Sequence, residues 1–198
     1  MSSPARGAGG GLLPAGFMSV ACFALSLNAA RADALLDSGL QIWSGGSKPL
    51  FSLDRIDGEA EKLSDRSDRV VLVHFFATWC EPCRQEIISL EQLSKRLPQD
   101  QFTIIGIDVA EVDIRLKRFF AALPVTFSVA LDRDGAVAKA WGADALPTTF
   151  GLDRNLTPRF FIQGDLDWNR PAIDRVLAAL SEERNPRRQN SRRTAKVN

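Results

Sequence analysis

The chain has 198 residues, of which 45% are hydrophobic and 25% charged, and its formal net charge is +1. This length accommodates one ordinary domain but not two, and the apolar fraction excludes a wholly disordered chain. Three cysteines are too few for a disulfide-stapled mini-protein, one histidine excludes a His-rich metal site, and the near-neutral charge gives no reason to expect nucleic acid as a partner.

Charge is unevenly distributed along the sequence. Residues 1–32 and residues 184–198 contain basic residues but no acid, so all 24 acidic residues fall within residues 33–183. We therefore expect a mildly acidic folded body between basic ends. The tail of residues 184–198 is predicted to be disordered, and it is either an inert solvated end or a segment that approaches anionic lipid.

Residues 1–32 have the three parts of a secretory signal. A short polar start with one positive charge is followed by an uncharged apolar stretch, residues 11–30, and by the small-x-small triplet Ala30-Arg31-Ala32. We expect cleavage after Ala32. An inner-membrane tether through residues 11–30 and lipidation at Cys22 are the alternatives. Each of these three interpretations predicts that the rest of the chain is located in the periplasm or on the outer face of the inner membrane.

The predicted elements begin after an N-terminal extension, residues 33–49, which is rich in glycine. Leu50–Leu53 is a short apolar run before a turn at Asp57-Gly58. Val70–Phe76 is apolar and β-branched without alternation, which is typical of a central strand buried on both faces. From Cys80 to Leu97, apolar residues recur every three or four positions, which predicts an amphipathic helix that ends before Pro98.

The second half of the chain continues to alternate between strands and helices, and then forms a hairpin. Strands are predicted at Phe102–Val109, Phe127–Leu131, Thr148–Leu152 and Arg159–Gln163, and helices at Ile114–Ala122, Val137–Trp141 and Pro171–Glu183. This order predicts one α/β domain over residues 50–183, with a mixed central β-sheet flanked by helices on both faces.

Residues with redox chemistry are concentrated where the first buried strand meets the helix. Cys80-Glu81-Pro82-Cys83 opens that helix, and two cysteines at this spacing can close a small disulfide ring. The helix N-terminus favours an anion and lowers the thiol pKa of Cys80, whereas Cys83, one turn further, is expected to be more buried. We therefore predict that Cys80 attacks a disulfide and that Cys83 resolves the mixed disulfide.

Glu81 and Pro82 complete the motif. Pro82 suits the first helical turn, where its missing N–H costs little. Glu81 places a negative charge beside the nucleophile, opposes thiolate formation and favours the oxidised pair, which makes the reduced protein a better electron donor. Instead of a redox-active pair, the two cysteines could form half of a zinc site or a purely structural disulfide. No second cysteine pair or suitable histidine completes a zinc site, and so short a ring removes little unfolded-state entropy.

Two segments carry a family resemblance. VLVHFFATWCEPCRQE at Val71–Glu86 and ALPTTF at Ala145–Phe150 resemble the TlpA/ResA type of exported thioredoxin-like proteins, which are related to CcmG/DsbE. The resemblance extends from about Phe51 to Leu180. It implies a thioredoxin-like fold and thiol:disulfide oxidoreductase activity, carried by the redox-active pair Cys80–Cys83 without an organic cofactor or metal.

The resemblance also implies supporting residues around the cysteines. Pro147 matches the family's cis-proline, and the Leu146-Pro147 loop is expected to face the cysteine pair and offer backbone hydrogen bonds to a client. Glu86 matches a glutamate that tunes thiol ionisation, its alternative being a solvated surface residue. His74 occupies the place of a buried acid in thioredoxin, and is either a proton relay or a hydrogen-bonded core histidine. Trp79 is predicted to cover the sulfurs and contact the substrate, its alternative being simple packing beside the motif.

We expect a monomeric reductant of protein disulfides that receives electrons from a membrane donor of the DsbD/CcdA type. By analogy, the client is apocytochrome c or a copper-site protein, although Pro147-Thr148-Thr149 replaces the Pro-Glu-Thr typical of CcmG-like proteins. A net oxidant or isomerase, and a Cu(I) carrier using the same cysteines, are the alternatives. Thr78 lies two residues before Cys80, so the Thr-x-x-Cys of peroxiredoxins is missing. Trp141 and Trp168 are assigned to packing.

Overall fold

The computed structural model describes residues 37–182. The signal segment, Cys22 and the basic tail lie outside the described residues. The strands are β1 (Gln41–Ile42), β2 (Ser52–Asp54), β3 (Ala60–Lys62), β4 (Val70–Phe76), β5 (Phe102–Val109), β6 (Ser128–Asp132), β7 (Thr148–Leu152) and β8 (Pro158–Gln163). The α-helices are α1 (Glu81–Arg96), α2 (Asp113–Ala122), α3 (Ala136–Trp141) and α4 (Pro171–Glu182).

A six-stranded mixed sheet in the order β1-β8-β7-β4-β5-β6 organises the domain, and β2 and β3 form a separate hairpin. Strand β4 runs parallel to β5 and antiparallel to β7, and every one of its residues is buried. The predicted mixed sheet is confirmed. Its central strand is continuously apolar except for one histidine, because helices cover both of its faces.

Alternate residues of β4 enter two different cores. Leu72 and Phe76 belong to a cluster with the apolar faces of α1 and α4, including Leu90 and Leu177. The intervening residues of β4 belong to a second cluster on the other face, which is filled by aromatic rings and contains Val71, Val73, Phe75, Trp141 and Phe150. By this alternation His74 points towards α1, the helix that carries the cysteines.

The sequence assigned no strand to the extension of residues 33–49, whereas the structure has β1 there. Strand β1 pairs with the outer edge of β8, and Trp43 packs edge-on against Phe150 and Phe161 with ring centroids 5.5 Å apart. A two-residue strand is too short to show a period, so the aromatic contacts and the sheet edge determine it. Within residues 37–182, no helix combines the length and apolar character needed to cross a membrane.

Candidate active site

The cysteine motif lies at the carboxyl end of the central strand, where the chain turns into α1. The Cys80 N–H donates to the Ala77 carbonyl at 3.2 Å, and Cys80 then becomes the N-cap residue of the helix with an extended backbone. Its Sγ accepts the Cys83 N–H at 3.3 Å. Pro82 lies in the first helical turn, where no intrahelical acceptor exists for its missing N–H. The local sequence therefore positions one sulfur over the unpaired amides of the helix.

The two sulfurs are joined in a disulfide and differ in their access to solvent. Cys80 is 7% exposed and Cys83 is 0% exposed. Trp79, directly before Cys80, is 66% exposed and marks the open side of the site. Cys80 therefore retains some exposed surface next to the exposed Trp79 side chain, whereas Cys83 has none.

Glu81 lies in solvent beside the disulfide rather than against it. Its carboxylate is 3.9 Å from the Arg84 guanidinium, and the two side chains are 71% and 54% exposed. Exposed pairs at this spacing interact weakly. The negative charge beside Cys80 is thus screened by water and partly balanced by Arg84.

The Leu146–Pro147 peptide bond is cis, and it directly precedes β7. Thr148, the next residue, pairs with Phe75 near the carboxyl end of β4, so Pro147 lies at the sheet edge from which the cysteine loop departs. The Pro147 carbonyl accepts the Gly164 N–H at 2.9 Å. Leu146 packs against the same core cluster that contains both cysteines. This register brings the proline loop and the cysteine motif to one edge of the sheet.

Glu86 is buried inside the domain and is not a surface residue. It lies one turn after Cys83 on α1 and is 2% exposed. Its Oε1 accepts the indole N–H of Trp168 at 2.5 Å, while Oε2 has no hydrogen-bonding partner among the described residues. Burial raises the pKa of Glu86 to about 8, a nearby charge on Asp165 acts in the same direction, and the Trp168 hydrogen bond opposes the rise. Glu86 is therefore protonated at neutral pH.

His74 is fully buried beside this carboxyl group. Its Nδ1 lies 2.9 Å from Thr149 Oγ1 and 3.9 Å from Glu86 Oε1, and its Nε2 has no partner within residues 37–182. Burial lowers the pKa of His74 to about 3. The short distance to Glu86 is therefore a contact between two neutral groups at neutral pH, because neither side chain carries its charge there.

Two residues of this buried group were not found by sequence reasoning. Trp168 was assigned to packing alone, yet it is fully buried and donates to Glu86. Thr149 was noted only as part of the proline motif, and it is the hydrogen-bonding partner of His74. Nothing local in the sequence indicates either contact, because each joins segments more than 70 residues apart. Trp141, also assigned to packing, is fully buried and donates its indole N–H to the Pro49 carbonyl at 3.1 Å.

No metal centre accompanies the cysteines in the part of the chain that the structure describes. Residues 37–182 contain no group of three or more His, Cys, Asp or Glu side chains arranged to hold a metal ion. The chemistry of this region is that of one disulfide at a helix N-terminus with a buried, protonated carboxyl group behind it.

A mixed sheet of this order, with a disulfide at the first helix N-terminus and a cis-proline at the same edge, defines a thioredoxin-like thiol–disulfide oxidoreductase. Residues 45–159 match the AhpC/TSA family. The chain is 30% identical over 122 residues to the thiol-disulfide oxidoreductase ResA of Geobacillus thermodenitrificans, a match that covers 62% of this chain and 70% of that protein. It is also 30% identical over 136 residues to ResA of Geobacillus kaustophilus, covering 69% and 77%.

A solved structure gives the same result. The crystal structure of a DsbE thiol:disulfide interchange protein from Chlorobium tepidum superposes with a TM-score of 0.64 at 29% identity, covering 69% of this chain and 96% of that one. The chain belongs to the AhpC/TSA family and, within it, to the ResA-type thiol-disulfide oxidoreductases. The predicted fold class and enzyme class are thereby confirmed.

Proposed function

We propose that this chain reduces protein disulfides in the periplasm through Cys80 and Cys83, without an organic cofactor or metal. The observation that carries the proposal is the position of Cys80 Sγ at the N-cap of α1. There it accepts the Cys83 N–H and remains the more exposed of the two sulfurs. Unpaired amides at a helix N-terminus stabilise a thiolate, which is the attacking form of cysteine.

Client reduction then follows in two exchanges. The Cys80 thiolate attacks one sulfur of the client disulfide, which breaks that bond and forms a mixed disulfide between Cys80 and the client. The released client sulfur takes up a proton. Cys83 loses its proton and attacks the Cys80 sulfur, which releases the second client thiol and forms the Cys80–Cys83 disulfide. Two electrons have passed to the client, and a membrane donor of the DsbD/CcdA type would restore the dithiol.

We assign the proton of the second exchange to Glu86. Cys83 and Glu86 are one turn apart on α1, so they lie on the same helix face. Oε2 has no hydrogen-bonding partner among the described residues, and it is the oxygen that takes up the proton when Glu86 is in its ionised form. A carboxyl group with a pKa near the working pH exchanges protons efficiently in both directions. His74 is neutral and bound to Thr149, so we assign it a positioning role beside Glu86 rather than a charged one.

We assign client docking to the proline loop and Trp79. Among the described residues, neither the N–H nor the C=O of Leu146 has a backbone hydrogen-bonding partner. An extended client segment could therefore pair with them, as peptides pair with exposed strand edges. Trp79 offers a large exposed ring beside the reactive sulfur. Apocytochrome c and a copper-site protein remain the proposed clients.

The direction of electron flow and the location are supported by the sequence. Glu81 adds negative charge beside Cys80, and residues 1–32 carry the pattern of a secretory signal. The matched relatives are thiol-disulfide oxidoreductases named ResA. A reduction potential below about −200 mV is expected for a donor of this kind, whereas a value near about −120 mV would indicate a net oxidant.

The decisive experiment is Cys83→Ser in the full-length chain in its native host. With the resolving thiol removed, client proteins should accumulate as mixed disulfides on Cys80, and mass spectrometry identifies them. The matched control, Cys80→Ser with Cys83→Ser, should capture none. If no mixed disulfide accumulates while the wild-type chain reduces protein disulfides, the assigned role of Cys83 is wrong. Tight Cu(I) binding without reductase activity would replace the proposal with the copper-carrier alternative.

A further inference from the structure

Two buried acids that belong to no part of the cysteine motif lie beneath the loop that leads into it. Asp108 is near the end of β5, is 1% exposed, and pairs in register with Phe76, the last residue of β4. Glu111 follows three residues later, between β5 and α2, and its side chain is 1% exposed. The chain between Phe76 and Cys80 passes over these two carboxyl groups.

Glu111 holds the loop by both of its oxygens. Oε2 accepts the backbone N–H of Thr78, and Oε1 accepts the Thr78 hydroxyl at 2.8 Å. The Arg115 guanidinium approaches Oε1 at 3.4 Å from the solvent side. Since Thr78 lies only two residues before Cys80, these bonds fix the backbone from which the N-cap sulfur is presented.

Asp108 Oδ1 is buried and has no hydrogen-bonding partner in the described structure. A side-chain hydrogen bond with Glu111 contributes to the raised pKa of Asp108, and a hydrogen bond between two carboxyl groups requires a proton on one of them. The proton belongs to Asp108, because both Glu111 oxygens already accept donors from Thr78. Asp108 therefore donates to Glu111, and Glu111 accepts from Thr78.

The charged surroundings of Asp108 all come from the segment after β5. Burial raises the pKa of Asp108 to about 8, and the hydrogen bond and charge of Glu111, together with the charge of Asp113, act in the same direction. Arg115 opposes the rise. The neighbouring strands β4 and β6 present the apolar register partners Phe76 and Leu131.

Ala110 shows that the turn between the two acids is built at a conformational cost. Its φ of 56° lies in the left-handed region, which a residue with a Cβ seldom adopts, and its N–H is held by the Asp132 carbonyl at 2.9 Å. Such conformations persist where surrounding contacts determine them, and they occur often at functional sites. Here the turn brings Glu111 back over Asp108 and under Thr78.

We propose that Asp108, Glu111 and Thr78 form an acid clamp that fixes the Cys80 loop while Asp108 is protonated and releases it when Asp108 loses that proton. The inference rests on the proposed function of Cys80 and adds a pH-dependent control to it. Loss of the proton leaves two like charges side by side in a buried site, which weakens the Glu111 hold on Thr78. Asp108 and Glu111 are positioning residues, since neither needs to touch the client.

The test is the rate at which iodoacetamide alkylates Cys80 in the reduced full-length chain between pH 5 and 10. All variants carry Glu86→Gln, because Glu86 titrates in the same range as Asp108. With Asp108 intact, the rate should show a second transition near pH 8 beyond the titration of Cys80 itself. Asp108→Asn keeps a donor to Glu111 but cannot ionise. Asp108→Asn should abolish this transition and keep the alkylation rate at pH 6 within about twofold of the rate with Asp108 intact.

Glu111→Gln serves as the second variant, and Asp174→Asn as the matched control. Glu111→Gln should alter both the second transition and the rate at pH 6. Asp174→Asn, at an exposed carboxyl paired with Arg96 and absent from the groups that act on Asp108, should preserve both. A profile for Asp108→Asn that keeps the second transition would overturn the clamp. Alkylation does not depend on a client, so the clamp can hold even where client reduction fails, and the two proposals remain separable.

A measurement on the unmodified chain covers the case in which the variants do not fold. The amide of Thr78, which is bonded to Glu111, should be protected from hydrogen exchange in the oxidised protein below pH 7. Its protection factor, corrected for the intrinsic pH dependence of exchange, should fall at least fivefold above pH 9. Constant protection across this range would show that the loop is held independently of the Asp108 proton.

Discussion

Replacing Glu86 by glutamine should make the oxidised protein more stable at neutral pH than the wild type. Glutamine has the same shape, keeps an oxygen to accept the Trp168 indole N–H, and cannot ionise. The pKa of Glu86 is raised in the folded chain, so the folded state binds more protons than the unfolded state between the two pKa values. The unfolding free energy of the wild type therefore falls as pH rises through this window. The variant has no titrating group at this position, so its unfolding free energy does not fall for this reason.

The expected size follows from the two pKa values. Glu86 moves from an ordinary 4.5 to about 8 on folding. Each pKa unit is worth about 1.4 kcal/mol. Ionisation of the Glu86 carboxyl in the unfolded chain should therefore lower the unfolding free energy of the wild type by about 3 kcal/mol at pH 7 and by almost nothing at pH 4. The difference in unfolding free energy between variant and wild type should grow by this amount from pH 4 to pH 7 and level off above pH 8. Asp108 contributes equally to both proteins and cancels.

Urea denaturation of the oxidised proteins at several pH values, followed by tryptophan fluorescence, measures this difference. Glu59→Gln is the matched control, because it removes one carboxylate that is 75% exposed. It should change stability by less than about 0.5 kcal/mol at every pH. A difference between Glu86→Gln and wild type that stays constant from pH 4 to pH 8 would refute the assignment of Glu86 as a neutral buried acid.

Trp168→Phe removes the donor that opposes the rise in the Glu86 pKa, so that pKa should increase further and stability at pH 7 should fall by about 1–3 kcal/mol. Carboxyl-carbon NMR titration measures the pKa of Glu86, and urea denaturation measures the stability. An unchanged pKa would show that Trp168 does not influence Glu86. Trp79→Ala should change stability by less than about 0.5 kcal/mol, because the ring is exposed. It should lower kcat/KM several-fold for a protein disulfide but little for a small disulfide, and equal losses with both substrates would contradict client contact at Trp79.

The central elements were predictable because their signals are local. The runs at β4, β5 and β7 are rich in apolar and β-branched residues, and the bounds predicted from the sequence match those of the structure to the residue. Helix α1 follows a clear three-to-four-residue period and ends before Pro98. By contrast, β1, β2 and β3 have two or three residues each, and their strand conformation depends on a partner strand that the local sequence does not reveal.

The cysteine motif was predictable for the same reason, since strand, motif and helix are continuous in sequence. The proton-bearing groups were harder to find. Glu86 could be placed on the cysteine helix, but its depth depends on Trp168, which arrives from a loop near the C-terminal end of the domain. Asp108 and Glu111 look like ordinary acids at the end of a strand. Their importance appears only when the parallel register of β4 and β5 brings them under Thr78.

The two raised pKa values have a common consequence for the nucleophile. Glu86 lies on α1 one turn after Cys83, Asp108 lies near the end of β5, and burial raises the pKa of both carboxyl groups to about 8. Ionised carboxylates at these positions would oppose a thiolate at Cys80, because like charges in a poorly solvated site raise each other's proton affinity. In the proposed function, the neutral state of both acids leaves the helix N-terminus to stabilise the Cys80 thiolate without competition from Glu86 or Asp108. The same burial weakens the fold as pH rises, because both carboxyl groups ionise more readily in the unfolded chain.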